Sequence, residues 1–273
     1  MLVSDLLGVP MESVRVVQSD TAAVPTGSGT MGSRSLQIGG SAIVEAGKVV
    51  LEKGRQLAAH LLEASVADVV VGDGGLHVAG VPASTLSWAD LAVAAGDDER
   101  RPAGMEPGLA YEHDWDQGAS SFPFGAHVAV VEIDSETGAV TLRRHIAVDD
   151  CGRVLNPLLV AGQQHGGVAQ GAAQALFEEV RWDDDGNPIT SNLMDYKIPS
   201  AAELPSFEVS NTETATPLNP LGAKGIGESG TIGATPAVQN AVVDALAHLG
   251  VRHLDMPATP ERVWRAIQEA PGA

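Results

Sequence analysis

The stretch Pro220-Leu221-Gly222-Ala223-Lys224-Gly225-Ile226-Gly227-Glu228-Ser229-Gly230-Thr231 places a single carboxylate, Glu228, in a glycine-rich loop. Glycine lets the backbone adopt positive φ angles and approach a ligand closely. Lys224 precedes the carboxylate, and the residues after the loop predict a helix. An acid held in such a loop is exposed and available for chemistry. Glu228 is therefore a candidate catalytic base beside a bound cofactor.

A second glycine-rich loop, Thr26-Gly27-Ser28-Gly29-Thr30-Met31-Gly32-Ser33-Arg34-Ser35, also precedes a predicted helix. Both loops match G-x-G-x-x-G, but neither directly follows a buried strand, as a dinucleotide-binding fold requires. Neither ends in the Lys-Ser/Thr pair of a Walker loop. Their backbone amides and hydroxyls suit an anionic ligand such as a pyrophosphate. The alternative is that both loops are tight, packed turns.

The composition limits the classes of function. The 273 residues suffice for one large domain or two ordinary ones, and the formal net charge of −19 disfavours binding to nucleic acid or to an anionic membrane. The single cysteine, Cys151, excludes an intramolecular disulfide and a cysteine-rich metal site within the chain. No apolar run approaches the roughly 20 residues of a membrane span, and the N-terminus lacks the basic region of a signal peptide. We therefore expect a cytoplasmic protein.

The hydrophobic pattern predicts an α+β fold with antiparallel hairpins. A helix is predicted from Ile43 to Leu61, with Gly47 and Gly54 packing closely against a neighbour. Hairpins are predicted over residues 69–78 and 127–149. A helix over 158–179 carries several glycines, each costing about 1 kcal/mol relative to alanine. These glycines indicate that another backbone or a cofactor approaches this helix closely.

Other segments give further predictions. A short strand is predicted at Val14–Val17, and helices at Thr235–Leu249, with Pro236 in its first turn, and at Thr259–Gln268. Residues 96–118 are polar and aperiodic, so they indicate a surface loop or a boundary between subdomains. We place the first subdomain at 1–110, with the loop Gly27–Ser35 and the long helix. The second, 111–273, carries the glycine-rich helix and the Glu228 loop.

The run from Gly222 to Gly233, followed by Pro236-Ala237-Val238-Gln239-Asn240-Ala241, resembles the active-site loop of the molybdenum hydroxylases, the xanthine dehydrogenase and aldehyde oxidase family. Three more segments agree: 27–40, 149–171 with its Gly-Gln-x-His-Gly-Gly-x-x-Gln-Gly pattern, and 194–205. The ending 255–264 resembles that of a carbon monoxide dehydrogenase-type large subunit. The resemblance implies the fold of the C-terminal molybdopterin-binding region of such subunits.

The resemblance also implies roles for individual residues. Glu228 corresponds to the glutamate that deprotonates the Mo–OH group, which then attacks the substrate carbon as hydride passes to a sulfido or copper-bridged ligand. Met31 and Gly32 correspond to the loop beside the metal. The positions that match cofactor-binding residues of the family are Ser33, Arg34, Ser35, Asp149, Gln163, Lys224, Gly225 and Gly227. The pterin supplies the sulfur ligands, so no residue of this chain is expected to bind the metal.

The cofactors and partners implied by the resemblance extend beyond this chain. The cofactor is molybdopterin with molybdenum, usually as the cytosine dinucleotide in bacterial members, with [2Fe-2S] clusters and FAD on partner subunits. Family large subunits are far longer than 273 residues, so we expect a missing N-terminal region and a hetero-oligomer with an iron–sulfur subunit and a FAD subunit. The substrate stays open among CO, an aldehyde, a purine and another N-heterocycle, as does the presence of copper. The alternative is a non-catalytic cofactor-binding or assembly fragment.

Overall fold

A computed structural model describes residues 1–27 and 29–270, which form two compact units. The first unit comprises Met1–Thr30, Ser35–Gly118 and Asn219–Leu221. The second comprises Met31–Arg34, Ala119–Leu218 and Gly222–Ala273. Ser28 of the first glycine-rich loop lies outside the described residues. The subdomain boundary at 110/111 stays a prediction.

The first unit combines three α-helices with a small antiparallel sheet. The helices are α1 (Leu2–Leu7), α2 (Ser41–Leu61) and α3 (Trp88–Gly96), and the strands are β1 (Val69–Gly72), β2 (Gly75–Val78) and β3 (Val81–Ser87) in the order β1-β2-β3. Short helical turns lie at Met11–Ser13, Leu36–Gly40 and Val66–Asp68. The core of this unit is built around the fully buried Leu57, Leu76 and Leu91. The predicted long helix and first hairpin are both confirmed.

Helix α2 packs through its glycines, as predicted. A methyl group on Gly47 would lie 2.5 Å from Cδ2 of Leu6, and one on Gly54 would lie 2.8 Å from the Trp88 ring. The predicted strand at Val14–Val17 is wrong, because these residues form no strand and Val16 is 76% exposed. The three strands of the unit pair with one another instead.

The second unit is built on a mixed three-stranded sheet. Its strands are β4 (Phe124–Ile133), β5 (Val140–Asp150) and β6 (Glu208–Thr212); β4 and β5 are antiparallel, and β5 and β6 are parallel. The helices are α4 (Pro157–Leu176), α5 (Ser229–Leu246) and α6 (Pro260–Gln268), with a short helical turn at Ala247–Leu249. Val168 of α4 and Ala234 of α5 are buried against Ala147 of β5. The α+β class and the second hairpin are thus confirmed. Among residues 1–27 and 29–270, no helix combines the length and apolarity that a membrane span requires.

Helix α5 begins earlier than the sequence predicted. Its first residue is Ser229 rather than Thr235, so Pro236 lies inside the helix and not in its first turn. The amide of Ile232 already donates to the carbonyl of Glu228 at 3.0 Å. Proline lacks an amide hydrogen and so costs the helix one hydrogen bond, and packing against α4 compensates for this loss. The early start places Glu228 immediately before the helix.

Helices α4 and α5 meet through a seam of small residues. A methyl group on Gly167 would lie 2.9 Å from Cα of Gly230, and one on Gly171 would lie 2.8 Å from Cβ of Ala234. The hydroxyl of Thr231 donates to the carbonyl of Gly167 at 3.0 Å. The close approach expected of the α4 glycines is therefore, at these two positions, an approach to another helix.

The seam predicts opposite effects at adjacent glycines. Gly167→Val should lower the free energy of unfolding by about 1–3 kcal/mol, because the new side chain overlaps the α5 backbone. Gly166→Ala should raise it by up to about 1 kcal/mol, since alanine is the better helix former and a methyl group on Gly166 meets nothing within 4 Å. Urea denaturation followed by circular dichroism measures both effects. Equal effects of the two variants would contradict the close packing of Gly167 against α5.

Candidate active site

Glu228 lies at the residue that precedes α5, at the end of the glycine-rich loop. Its side chain is exposed, and Oε2 accepts a hydrogen bond from Oγ of Ser33 at 3.0 Å. Oε2 thus has a protein donor, and the carboxylate can still accept a proton at Oε1.

The two glycine-rich loops contact each other through Gly225. A methyl group there would lie 2.6 Å from Cβ of Ser33, 2.8 Å from its carbonyl oxygen and 3.0 Å from that of Gly32. Gly32 and Ser33 have φ angles of 60° and 55°, in the left-handed region. Such a conformation costs a non-glycine residue roughly 1–2 kcal/mol, so the contact holds Ser33 in a strained backbone. The two loops are therefore in direct contact at Gly225 and Ser33.

Gln163 of α4 joins the same group. It is exposed, and a methyl group on Gly227 would lie 3.6 Å from its Oε1 atom. Gly162 and Gly166 are also exposed on α4, and a methyl group on either would meet nothing within 4 Å. The surface beside Glu228 therefore combines an amide, a hydroxyl and a carboxylate with backbone that is open to a ligand.

Lys224 anchors the Glu228 loop through a buried ion pair. Its ammonium is buried, lies 3.1 Å from Oδ1 of Asp150 and stands 4.6 Å from the centre of the Phe124 ring. Burial raises the pKa of Asp150, but hydrogen bonds from the Gly152 amide, Lys224, Thr214 and Thr212 outweigh it and lower the pKa to about 2. The ammonium of Lys224 is thus already paired within the protein, and its predicted role as a cofactor contact stays a prediction.

Asp149 belongs to a buried polar network on the opposite face of strand β5. Its Oδ1 lies 3.2 Å from Nε2 of His127, and its Oδ2 accepts a hydrogen bond from Nε2 of Gln164 at 2.9 Å. Nδ1 of His127 lies 3.2 Å from Nε2 of His145, which is fully buried. Burial raises the pKa of Asp149, but the bonds from His127 and Gln164, with the charge interactions of His127 and His145, lower it overall.

The ionised carboxylate fixes one hydrogen in this network. Asp149 can only accept, so Nε2 of His127 carries a hydrogen, and Nδ1 of His127 and Nε2 of His145 form a hydrogen bond whose direction depends on the tautomers of the two rings. Nδ1 of His145 is buried with no hydrogen-bond partner among the described residues. Burial and the neighbouring His127 lower the pKa of His145 to about 4, although Asp149 opposes this, and His145 is therefore neutral near pH 7.

His127, His145 and Gln164 are not among the site residues predicted from the sequence. Both histidines lie within predicted strands. A polar residue that alternates with apolar ones is expected in any such strand, so neither histidine stood out as a site residue. The available signal was the spacing of His127, His145 and Asp149, since an antiparallel register pairs His127 with Ala147 and places all three side chains on one face.

The other residues predicted from the first glycine-rich loop differ in exposure and local contacts. Met31 is 60% exposed, and Gly32 is exposed beside it. Arg34 is half-buried, and the hydroxyl of Ser35 is hydrogen-bonded to that of Thr30. Within residues 1–27 and 29–270, no group of three or more His, Cys, Asp or Glu side chains is arranged to hold a metal ion.

The sequence and fold match known proteins. A family model described as the molybdopterin cofactor-binding domain matches residues 1–205. The carbon monoxide dehydrogenase large chain of Hydrogenophaga pseudoflava is 41% identical over 268 residues, which are 98% of this chain and 33% of that protein. The nicotine 6-hydroxylase large subunit of Paenarthrobacter nicotinovorans is 41% identical over 266 residues, 97% of this chain and 33% of that protein. The chain therefore spans about a third of the length of these curated relatives.

Two solved structures share the fold over nearly the whole chain. The Cu,Mo-CO dehydrogenase superposes with a TM-score of 0.87 at 35% identity, covering 98% of this chain and 34% of that one. The quinoline 2-oxidoreductase of Pseudomonas putida 86 superposes with a TM-score of 0.84 at 43% identity, covering 99% of this chain and 34% of that one. The arrangement of two small sheets and several helices is therefore that of the corresponding region of these proteins.

Proposed function

Because this chain belongs to the molybdopterin cofactor-binding domain family, we propose that it is the C-terminal, cofactor-binding part of a molybdenum hydroxylase large subunit. In this role it helps to hold the cofactor and supplies Glu228 as the general base for hydroxylation with water-derived oxygen. The observation that supports this most directly is the hydrogen bond from Ser33 to Glu228, which joins the two glycine-rich loops at 3.0 Å.

The residues beside Glu228 suit a pterin cofactor. Gly162 and Gly166 leave open space along one exposed face of α4, and the side chain of Gln163 stands on that face. A flat, polar ligand with phosphate groups needs such backbone access together with amide and hydroxyl donors. We propose that Gln163, Ser33 and the backbone of Gly225 and Gly227 contact the cofactor, with Met31, Gly32, Arg34 and Ser35 completing its surroundings.

Glu228 is suited to accept a proton. When bound, the molybdenum cofactor supplies the two-electron oxidation of the substrate carbon. Oε2 of Glu228 accepts from Ser33, so the carboxylate is oriented while Oε1 stays available to take the proton of the water-derived nucleophile. A general base must lie within hydrogen-bond reach of its proton, and a carboxylate held at the start of a packed helix can be positioned that accurately.

The proposal places further components on other chains. We propose that an N-terminal large-subunit region, an iron–sulfur subunit with [2Fe-2S] clusters and a FAD subunit complete the enzyme as a hetero-oligomer. The molybdopterin is proposed to be the cytosine dinucleotide form. The substrate is a small molecule of the classes that the relatives' names cover, which include carbon monoxide, nicotine and quinoline.

Cofactor content tests the proposal. The chain is co-expressed with a large-subunit N-terminal region, an iron–sulfur subunit and a FAD subunit encoded in the same genome, and the complex is purified through a tag on this chain. We expect near-equimolar molybdenum by mass spectrometry and cytidine monophosphate after acid hydrolysis. An assembled complex that contains neither would refute cofactor binding.

A second candidate is a cofactor-binding or assembly fragment without turnover. One observation favours it: the side chain of Glu228 is exposed in this chain rather than enclosed. Stoichiometric molybdenum without oxidation of carbon monoxide, aldehydes, purines or N-heterocycles would support this reading.

A further inference from the structure

The buried network around Asp149 has a role that the resemblance does not suggest. The Asp149 side chain is 2% exposed, and both of its oxygens are engaged, by His127 and by Gln164. A carboxylate in this state cannot reach a ligand on the surface without breaking two buried hydrogen bonds. We infer that Asp149, with His127 and Gln164, is a positioning residue that holds Gln163 and Glu228 side by side. This inference rests on the proposed function of that pair.

The first arm of the network fixes helix α4. Nε2 of Gln164 donates to Asp149 and also lies 3.2 Å from the carbonyl of Ser210 in β6. Gln164 is therefore anchored to two strands of one sheet. Successive residues of a helix are rotated by about 100° around its axis, so anchoring Gln164 sets the direction in which Gln163 points. Gln163 is directed to the exposed surface, beside Gly227.

The second arm fixes the start of helix α5. The ring of His127 lies directly against Gly233, where a methyl group would be 2.6 Å from Cε1 of the ring. The carbonyl of Gln164 would lie 2.8 Å from a methyl group on Gly230. The two residues bound to Asp149 thus each contact one of the first turns of α5, and Glu228 is the residue immediately before that helix.

The charge of Asp149 explains why a carboxylate is required here. Its two partners both present N–H groups, and only a carboxylate accepts on both oxygens. Asparagine would direct its NH₂ group at one of these donors, which leaves two donors facing each other in a buried site. The network therefore holds both helices in place against the sheet only while Asp149 is ionised.

Matched glutamine substitutions test the inference. Gln164→Met removes one arm of the network, and Gln239→Met is the control on α5. The two glutamines are alike, since Nε2 of Gln239 donates to the carbonyl of Leu254 at 2.6 Å and the Oε1 of each is buried without a hydrogen-bond partner among the described residues. Asp149→Asn is a second network variant. The readouts are the NMR resonances of the Gln163 side-chain amide and of the backbone amides of 226–230, and the molybdenum content of the assembled complex.

We expect Gln164→Met and Asp149→Asn to shift these resonances and to lower molybdenum occupancy by about tenfold or more, as for other partners that orient a metal-site residue. Gln239→Met should lower the melting temperature by a similar amount to the network variants but leave the resonances and the molybdenum occupancy unchanged. Resonances at wild-type positions in a folded network variant would overturn the inference. If the wild-type complex holds no molybdenum but the resonances shift, the proposed function fails and the positioning role stands.

Discussion

A Glu228→Gln variant of the assembled, cofactor-loaded enzyme is expected to turn over about 10²–10⁴-fold more slowly than the wild type, the usual contribution of a general base. Glutamine keeps the size of the side chain, and its carbonyl can still accept the hydrogen bond that Ser33 donates to Oε2. It cannot take up a proton. The loss should appear in kcat, measured with an artificial electron acceptor and normalised to molybdenum content.

Ser33→Ala is the matched control for this variant. It removes the hydrogen bond across the two loops but leaves the carboxylate free to accept a proton, so its loss should be about tenfold, the value of one hydrogen bond to a charged group. Wild-type kcat in a fully loaded Glu228→Gln complex would remove Glu228 from the mechanism. Equal losses in the two variants would show that Glu228 acts through position alone.

The free energy of unfolding should fall as the pH is lowered from 6.5 to 4, because His145 is buried and neutral. Burial and His127 lower its pKa from 6.5 to about 4, with Asp149 opposing. The unfolded chain therefore binds a proton at His145 below about pH 6.5, whereas the folded chain binds it only near pH 4. The stabilisation that comes from keeping His145 neutral is fully present above pH 6.5, the pKa in the unfolded chain. It is lost as the pH falls towards about 4, the pKa in the folded chain. The loss is about 1.4 kcal/mol per pH unit, or about 3 kcal/mol in all.

His145→Gln isolates this dependence. Its side-chain amide can donate to or accept from Nδ1 of His127 in place of Nε2 of His145, but it does not titrate. Urea denaturation at a series of pH values should show a smaller loss of stability between pH 6.5 and 4 in the variant. Parallel curves for the two proteins would mean that His145 does not titrate differently in the folded and unfolded chains.

Close approach at the two glycine-rich loops could be predicted from the sequence, because glycine density is a local signal for it, but the sequence does not identify what each loop approaches. In the structure Gly225 lies against Ser33 of the other loop. The resemblance of the chain to the molybdenum hydroxylases is confirmed at the level of the family. Long helices such as α2 could also be predicted from the sequence, since their apolar periodicity extends over several turns.

The surroundings of Asp149 and Asp150 could not be predicted, because the face of a strand to which a side chain points depends on what covers that face. The two carboxylates are adjacent in the sequence, yet one pairs with Lys224 and the other with His127 and Gln164. Successive strand residues point to opposite faces, but only the positions of β6, α4 and α5 decide which face is which. The start of α5 was predicted wrongly for a related reason: packing against α4 overrides the preference that places proline in the first turn of a helix.

The glycine seam also limits how far Gln163 and Glu228 can drift apart. Where side chains separate two helices, each change of rotamer alters the spacing between the helix axes. At Gly167 and Gly230 backbone meets backbone, so this contact has no rotamers to change. The spacing of the two helices at this contact therefore does not vary with side-chain rotamers, which suits chemistry in which a displacement of about 1 Å can cost about a hundredfold in rate.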